Sequence, residues 1–269
     1  MKSKIFSVLI FSVALIVGCQ KSTEPTPTTT KTDNVISSGR AVDLLLGYYN
    51  FVQQNTDVQM KVGSWVTMPT QNAQDRPFYA DATFRNISNK ISGASIGEAS
   101  LVPDANNTYN NNLINNNSIQ VKSVYGTTAN FRFKDAENIM RTKALYIPKA
   151  INITSSDDQV SNIAIKVGTT ITWNQDALNT KGVVFIIEYD PSLSPATYQT
   201  SPTPTAKSFA VTDNGSYTFK ASDLEGLPLN ANVRFSVGRA GFEVYQPENS
   251  TKTYSLYGYT IVDAMGIIK

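Results

Sequence analysis

Apolar and polar side chains alternate along several short stretches of this 269-residue chain, and this period of two constrains its fold more than any other feature. Phe78, Ala80, Ala82 and Phe84 alternate with more polar neighbours, which is typical of a strand with one buried face. The same alternation recurs at Ile171 and Trp173, at Tyr217 and Phe219, at Val233, Phe235 and Val237, and at Tyr257 and Tyr259. No long stretch has helical periodicity, so the sequence predicts an all-β fold built of antiparallel sandwiches.

Further segments of the first half extend this prediction. Residues 94–102, between a glycine and a proline, predict one strand. The pairs Ile119 and Val121, and Phe131 and Phe133, have the spacing of two that is expected of strand residues.

Two other segments of the first half have a different character. Residues 41–52 are strongly apolar, and a run this short fits either a short helix or a buried strand. Residues 104–117 contain eight asparagines and one carboxylate, Asp104. Asparagine favours turns, and a calcium-binding loop needs more acidic ligands, so this segment predicts a solvated loop.

The sequence contains one cysteine, Cys19, and no histidine. A disulfide cannot form within the chain, and a Ser-His-Asp or Cys-His catalytic arrangement cannot be built. The usual ligand sets for zinc, copper and iron also require histidine or several cysteines. We therefore expect a protein that is not an enzyme, with no catalytic residues, no metal and no cofactor.

The N-terminus has a basic start and a short apolar segment. Lys2 and Lys4 precede an apolar run at residues 5–17. This run is shorter than the roughly 20 residues needed to span a bilayer. Its length is typical of the apolar part of a signal peptide.

The apolar run ends in Ile16-Val17-Gly18-Cys19, which resembles the lipobox of bacterial lipoproteins. The resemblance implies that residues 1–18 are a signal peptide and that Cys19 becomes the first residue. It also implies a diacylglycerol on the sulfur of Cys19 and a fatty acyl chain such as palmitate on its amine. In that family Asp after the cysteine retains the protein at the inner membrane, so Gln20 implies the outer membrane, on either its periplasmic or its outer face.

Residues 19–39 are rich in Thr and Pro and poor in apolar side chains, so they predict a flexible tether. Removal of the signal peptide leaves 21 basic and 21 acidic residues. A nucleic-acid partner would require a basic surplus to neutralise phosphates, so none is expected. The expected partners are the membrane, through the lipid anchor, and an envelope protein or a glycan.

Residues 149–269 resemble a fibronectin type III domain in several stretches. Residues 170–173 look like its second strand with its core tryptophan, Trp173, and residues 183–189 look like its third. The stretches between residues 216 and 237 look like the strands and corner that follow. The resemblance implies an immunoglobulin-like sandwich here, and the strand pattern of residues 40–148 predicts a second sandwich in tandem before it.

Three aromatic residues are candidates for ligand binding: Trp65, Tyr257 and Tyr259. An exposed aromatic ring can stack on a sugar or pack against a protein. For Trp65 we expect a core anchor of the first sandwich, with a surface ring that stacks on sugar as the alternative. For the two tyrosines we expect packing across strands, with a binding patch as the alternative.

These features predict a binding, adhesion or scaffolding lipoprotein. An accessory glycan-binding lipoprotein of a polysaccharide-capture system is an alternative. A glycosidase that uses two carboxylates is a further alternative. Its candidate acids are Asp157, Asp158, Asp176, Glu188, Asp190 and Glu225.

Replacing the predicted lipidation residue tests the anchor. We expect the Cys19→Ser chain to lack acyl mass and to leave the membrane fraction, because no later residue can carry the thioether. Intact-mass spectrometry and fractionation of cells check this. Gln20→Asp is the matched control: it should keep the acyl mass and move the protein to the inner membrane. A parent chain without acyl mass at Cys19 would contradict the prediction.

Overall fold

Short strands and turns make up the described part of the chain in the computed structural model. The structure describes residues 34–39, 56–68, 76–84, 92–103, 108–110, 119–135, 139–154, 163–193 and 203–269. Residues Asp33–Lys269 belong to one compact unit. The prediction of an all-β fold is confirmed. No helix within these ranges is long and apolar enough to cross a membrane.

The strands in the first half are β1 (Asn34–Gly39), β2 (Val58–Thr67), β3 (Tyr79–Phe84), β4 (Ser92–Ile96), β5 (Ala99–Pro103), β6 (Thr108–Asn110), β7 (Thr127–Lys134) and β8 (Met140–Ile147). Those in the second half are β9 (Ile163–Ile165), β10 (Thr170–Thr172), β11 (Val183–Tyr189), β12 (Thr205–Val211), β13 (Ser216–Thr218), β14 (Asn232–Gln246) and β15 (Tyr254–Ile268). Within the described ranges, two short α-helices lie between strands, α1 (Ile119–Ser123) and α2 (Ala221–Leu224). A 3-10 turn at Pro191–Leu193 follows β11.

One large sheet contains most of these strands, in the order β12-β11-β14-β15-β2-β3-β6-β5-β4-β7-β8. β1 also pairs with β14, and β9 with β15, while β10 and β13 form a separate two-stranded sheet. β2 and β9 run parallel to β15, and the other described pairs are antiparallel. The sheet therefore joins strands from both halves of the chain through the β15–β2 pair.

Among the described residues, three clusters of buried apolar side chains lie along the hairpin formed by β14 and β15, and the two larger clusters are the two hydrophobic cores. The first core contains side chains from β2, β3, β4, β5, β7 and β8, and the second contains side chains from β10, β11, β14 and β15. The long hairpin contributes to both, because Tyr245 and Leu256 lie in the first core, and Phe235 and Val262 lie in the second. The same two strands therefore connect the two cores.

A buried polar layer separates the cores. Arg239 of β14 lies opposite Thr260 of β15 and is fully buried. The guanidinium of Arg239 forms a bidentate ion pair with Asp213, with Nε 2.7 Å from Oδ2 and Nη2 2.8 Å from Oδ1. Its Nη1 donates to the carbonyl oxygen of Lys149 at 3.0 Å. This geometry uses both carboxylate oxygens and compensates for the desolvation of the two charges.

Asp213 connects this ion pair to the second core. Trp173 Nε1 donates to Asp213 Oδ1 at 2.8 Å, and Asn179 Nδ2 donates to Oδ2 at 2.9 Å. Burial opposes ionisation, but the hydrogen bonds from Arg239, Trp173 and Asn179 outweigh it and hold the pKa of Asp213 below its ordinary value. Trp173 is 3% exposed, which confirms its prediction as a core residue.

Arg76 forms the other part of the polar layer. Its Nη1 donates to Thr260 Oγ1 at 2.8 Å, its Nη2 donates to the carbonyl oxygen of Ile151, and the amide of Ile151 donates to the same Thr260 oxygen at 3.1 Å. Burial lowers the pKa of Arg76 to about 10, so the side chain still carries its charge at neutral pH.

Glycine is required where β8 crosses the hairpin. A Cβ atom on Gly258 would lie 2.6 Å from Cδ1 of Ile147, which is closer than such atoms approach. The absence of a side chain at Gly258 lets Ile147 of β8 pack against β15.

Several predictions in the first half are confirmed or corrected. The strand predicted at Phe78–Phe84 is β3, and its inward side chains are buried. Residues 94–102 do not form one strand, because Gly97 turns the chain between β4 and β5 at a φ of +57°. Ile119 and Val121 lie in α1 rather than in a strand, and Ile119 is exposed while Val121 is buried.

The predicted tether and domain boundary are also corrected. Residues 34–39 form β1 on the edge of β14 and are not part of a tether. The predicted boundary between residues 148 and 149 is not a break, because strands on either side of it share one sheet. Within the predicted loop at 104–117, Thr108–Asn110 forms β6. The apolar segment 41–52 lies outside the described residues.

Replacing Arg239 tests the buried layer. We expect Arg239→Met to lower the free energy of unfolding by about 3–5 kcal/mol, because the carboxylate of Asp213 is left buried without its cation. Chemical denaturation at neutral pH measures this.

Arg234→Met on the same strand is the matched control. Arg234 pairs with Glu188 at the surface, with side chains 48% and 34% exposed, so its loss should cost only about 0–1 kcal/mol. Equal losses for the two variants would contradict the role assigned to the buried pair.

Candidate functional site

The candidate site lies on one face of the sheet where β2, β15, β14 and β11 pair side by side. Trp65 lies opposite Ile261, and Thr67 lies opposite Asp263, which lies opposite Ser236. Alternate residues on a strand share a face, so Trp65, Asp263 and Ser236 point to the same side of the sheet. We call this surface the Trp65 face.

Trp65 is the exposed aromatic residue of this face. Its side chain is 46% exposed, although residues 58–64 of β2 are buried or half-buried. Its indole Nε1 donates to Oδ2 of Asp263 at 3.0 Å. The core role expected for Trp65 is therefore wrong, and the alternative of a surface ring agrees with its exposure. The hydrogen bond fixes one edge of the ring and leaves part of the indole open to solvent.

Asp263 is the acidic group beneath this ring. It is 5% exposed, and its Oδ1 accepts no hydrogen bond that meets ordinary geometry within the described part of the chain. Burial raises the pKa of Asp263, while Ser236, Trp65 and the charge of Arg234 act to lower it and Glu188 acts to raise it. A carboxyl group in this setting binds a proton more readily than an exposed aspartate.

An ion pair lies beside Asp263 on the same face. Arg234 of β14 pairs with Glu188 of β11 in the sheet register, and Arg234 Nε lies 2.6 Å from Glu188 Oε2. The two side chains also line a cavity of about 290 Å³. Its lining residues are Glu188, Tyr189, Asp190, Pro204, Thr205, Ala206 and Arg234. The cavity therefore presents charged donors and acceptors next to the Trp65 face.

The two predicted tyrosines are adjacent to each other but differ in accessibility. Tyr257 and Tyr259 stack with their ring centroids 6.2 Å apart, and Tyr79 meets Tyr259 edge to face at 6.0 Å. Tyr257 is 1% exposed, so it has no surface open to a ligand, whereas Tyr259 is half-buried. Tyr257 supports Tyr259 from below, and the predicted ligand-binding role stays a prediction for Trp65 and Tyr259. The predicted lipidation residue, Cys19, lies outside the described residues.

Among the described candidate carboxylates, Asp190 lines the same cavity as Glu188, whereas Asp176 and Glu225 lie elsewhere. Asp176 is buried and accepts from the Tyr146 hydroxyl at 2.8 Å and from the Lys149 amide at 2.8 Å. Asp190 accepts from the Ser192 amide in a turn at 2.9 Å, and this hydrogen bond holds its pKa below the ordinary value. Glu225 is exposed after α2. Asp157 and Asp158 lie outside the described residues.

The alternation around Tyr257 and Tyr259 predicts a last strand at residues 254–261, and Asp263 was missed because it lies beyond that prediction. The strand continues to Ile268, which puts Asp263 inside it. One signal was present in the sequence: Asp263 is a single acidic residue within an apolar strand-like run, and such a residue needs a partner when buried.

No protein-family model matches this chain, and a search of curated proteins found no match.

The pKa of Asp263 gives a test by fluorescence. Trp65 and Trp173 are the two tryptophans, and each donates to an aspartate. We expect a change in Trp65 emission with a midpoint above the ordinary aspartate value of about 3.9, because burial favours the protonated form. Asp213 beside Trp173 has a lowered pKa, so the change in Trp173 emission that accompanies its protonation should occur at lower pH.

Asp263→Asn should abolish the emission change at higher pH, which is assigned to Trp65. It should leave the emission change at lower pH, which is assigned to Trp173. The variant should also gain stability relative to the parent as pH rises, because the parent must ionise a buried acid. A parent and variant with the same titration would contradict the assignment.

Proposed function

We propose that this chain is a non-enzymatic lipoprotein anchored in the outer membrane, where it acts as a binding, adhesion or scaffolding module. The resemblance of residues 16–19 to a lipobox supports the anchor. The observation that carries the binding role is the exposed indole of Trp65, fixed by Asp263 on a sheet face.

A fixed aromatic ring is well suited to binding. Association costs conformational entropy, and a ring that is already held in place loses less of it. Tryptophan is enriched at the energetic centres of protein interfaces, where a large apolar ring and a polar edge are both used. Trp65 has this combination, because its Nε1 is bonded to Asp263 while 46% of the side chain is open.

A glycan is the ligand class with further support. The apolar face of a sugar ring can pack on the indole of Trp65, and its hydroxyl groups need donors and acceptors close by. Glu188 and Arg234 provide both kinds of group on the neighbouring strands. This arrangement supports an accessory glycan-binding lipoprotein of a polysaccharide-capture system as the alternative form of the same proposal.

We also infer that the second half has an immunoglobulin-like, fibronectin type III-like arrangement. In support, the sheet of β10 and β13 packs against β11 and β14, with the rings of Trp173 and Phe185 5.5 Å apart. A bridge between Ile153 and Trp173 extends the smaller layer. The two predicted sandwiches would then share the long hairpin of β14 and β15.

Loss of the indole tests the binding role. The acylated protein is screened against arrays of glycans and against detergent-solubilised envelope proteins. We expect Trp65→Ala to weaken binding about tenfold or more, which corresponds to about 1.4 kcal/mol and is within reach of one stacked aromatic ring.

Leu229→Ala is the matched control, because Leu229 is a 65% exposed apolar residue outside the Trp65 face. It should bind like the parent. Unchanged binding by Trp65→Ala would contradict the site, and turnover of a glycoside substrate by the parent would contradict the non-enzymatic role.

A further inference from the structure

The register of β1 shows where the chain enters the described sheet. Asn34 lies opposite Gln246, and Gly39 lies opposite Phe242. The chain therefore arrives at the end of the molecule where the β14–β15 turn lies, at residues 247–253. We call this the anchor-proximal end.

The start of β8 is held at the same end. Arg141, the second residue of β8, donates from Nη1 to the carbonyl oxygen of Glu248 at 3.1 Å. The start of β8 is thereby fixed beside the β14–β15 turn.

Two exposed apolar side chains lie at the start of β8. Ile139 is 47% exposed and Met140 is 52% exposed. Asp135 is buried beneath them, and it accepts from the Ile139 amide at 2.8 Å and from Arg141 Nε at 2.8 Å. The amide of Asp135 also donates to the Ile139 carbonyl oxygen at 3.0 Å. The backbone of Ile139 is therefore fixed by hydrogen bonds to Asp135, while the side chains of Ile139 and Met140 are exposed.

The opposite end lies far along the hairpin. β14 has 15 residues, and at about 3.3 Å per residue it is roughly 45 Å long. The predicted tether from Cys19 to residue 33 has 15 residues. A flexible chain of that length has a mean end-to-end distance of roughly 20 Å, which is less than half the length of β14.

We propose that the anchor-proximal end is a membrane-contacting surface, and that Ile139 and Met140 enter the interfacial region of the lipid bilayer. This inference rests on the proposed lipid anchor. The occupant is the lipid surface because the predicted lipidation residue is only a short tether away from this end. Apolar side chains add to acyl-chain anchoring in proportion to the area that they bury.

The charges near this end have both signs. Lys252 contacts Asp57 at 3.5 Å, and Arg141 pairs with Asp135. Attraction to anionic lipid therefore contributes little, and contact through Ile139 and Met140 should persist at high salt.

Single reporters on the acylated, full mature protein test the orientation. Met140→Cys and Thr251→Cys place a thiol at the anchor-proximal end, and Leu229→Cys places one beyond the far end of β14. Each is labelled with an environment-sensitive fluorophore and reconstituted in phosphatidylethanolamine–phosphatidylglycerol vesicles with spin-labelled lipids as quenchers. All three positions are exposed, so the fold should tolerate the changes.

We expect blue-shifted emission and quenching by lipid at position 140, weaker quenching at 251, and water-like emission without quenching at 229. High salt should leave this pattern unchanged. Equal, water-like emission at 140 and 229 in a membrane-bound protein would overturn the orientation. A shift at 140 that requires native outer-membrane vesicles and is absent with pure lipid would also overturn it, by indicating a protein partner.

The parent chain reports on the anchor separately. Cys19 is its only cysteine, and a thioether at this sulfur cannot react with the label. Labelling of the parent, or loss of the protein from the vesicles, would contradict the lipid anchor itself and not the orientation of the fold.

Discussion

Arg239 and Asp213 form a buried ion pair where two hydrophobic cores meet along one hairpin. This ion pair lies where β14 and β15 pass from one core to the other without a break. The charges of Arg239 and Asp213 satisfy each other, and the remaining donors reach Lys149 and Asn174 carbonyl oxygens. Trp173 adds its indole nitrogen to the same carboxylate. The Arg239–Asp213 ion pair thus connects three parts of the structure. These are the second core, the chain before β9 and the β14–β15 hairpin.

The sequence predicted those parts of the fold that depend on local alternation. Residues 183–189 form a strand as expected, because their buried residues run almost continuously as in a sheet interior. Residues 216–218 also form a strand, in which half-buried Tyr217 alternates with exposed neighbours. The prediction at Ile119 and Val121 was wrong because a spacing of two, over so few residues, does not distinguish a strand from one helical turn. The pairing of Arg239 with Asp213 and the place of β1 depend on contacts distant in sequence, and alternation carries no information about either.

The candidate site could be predicted only in part. Trp65, Tyr257 and Tyr259 were selected because they are aromatic. The structure shows that Trp65 is exposed and Tyr257 is buried. This difference depends on the packing of neighbouring strands, which the sequence pattern does not give. Asp263 lies 198 positions from Trp65, so their hydrogen bond could not be read from spacing. The result is a sheet face on which a fixed aromatic ring lies above a buried carboxyl group, and this arrangement supports the proposed binding role.

Photo-crosslinking in intact cells tests most directly whether this face binds an envelope component. A photoreactive amino acid at Thr67, exposed two residues after Trp65 on the same side of β2, reports on whatever contacts that face. Our account predicts one discrete adduct from position 67, with a protein or a glycan of the envelope, that disappears when Trp65 is also replaced by Ala. No adduct at position 67, or an adduct that persists without the indole, would contradict it.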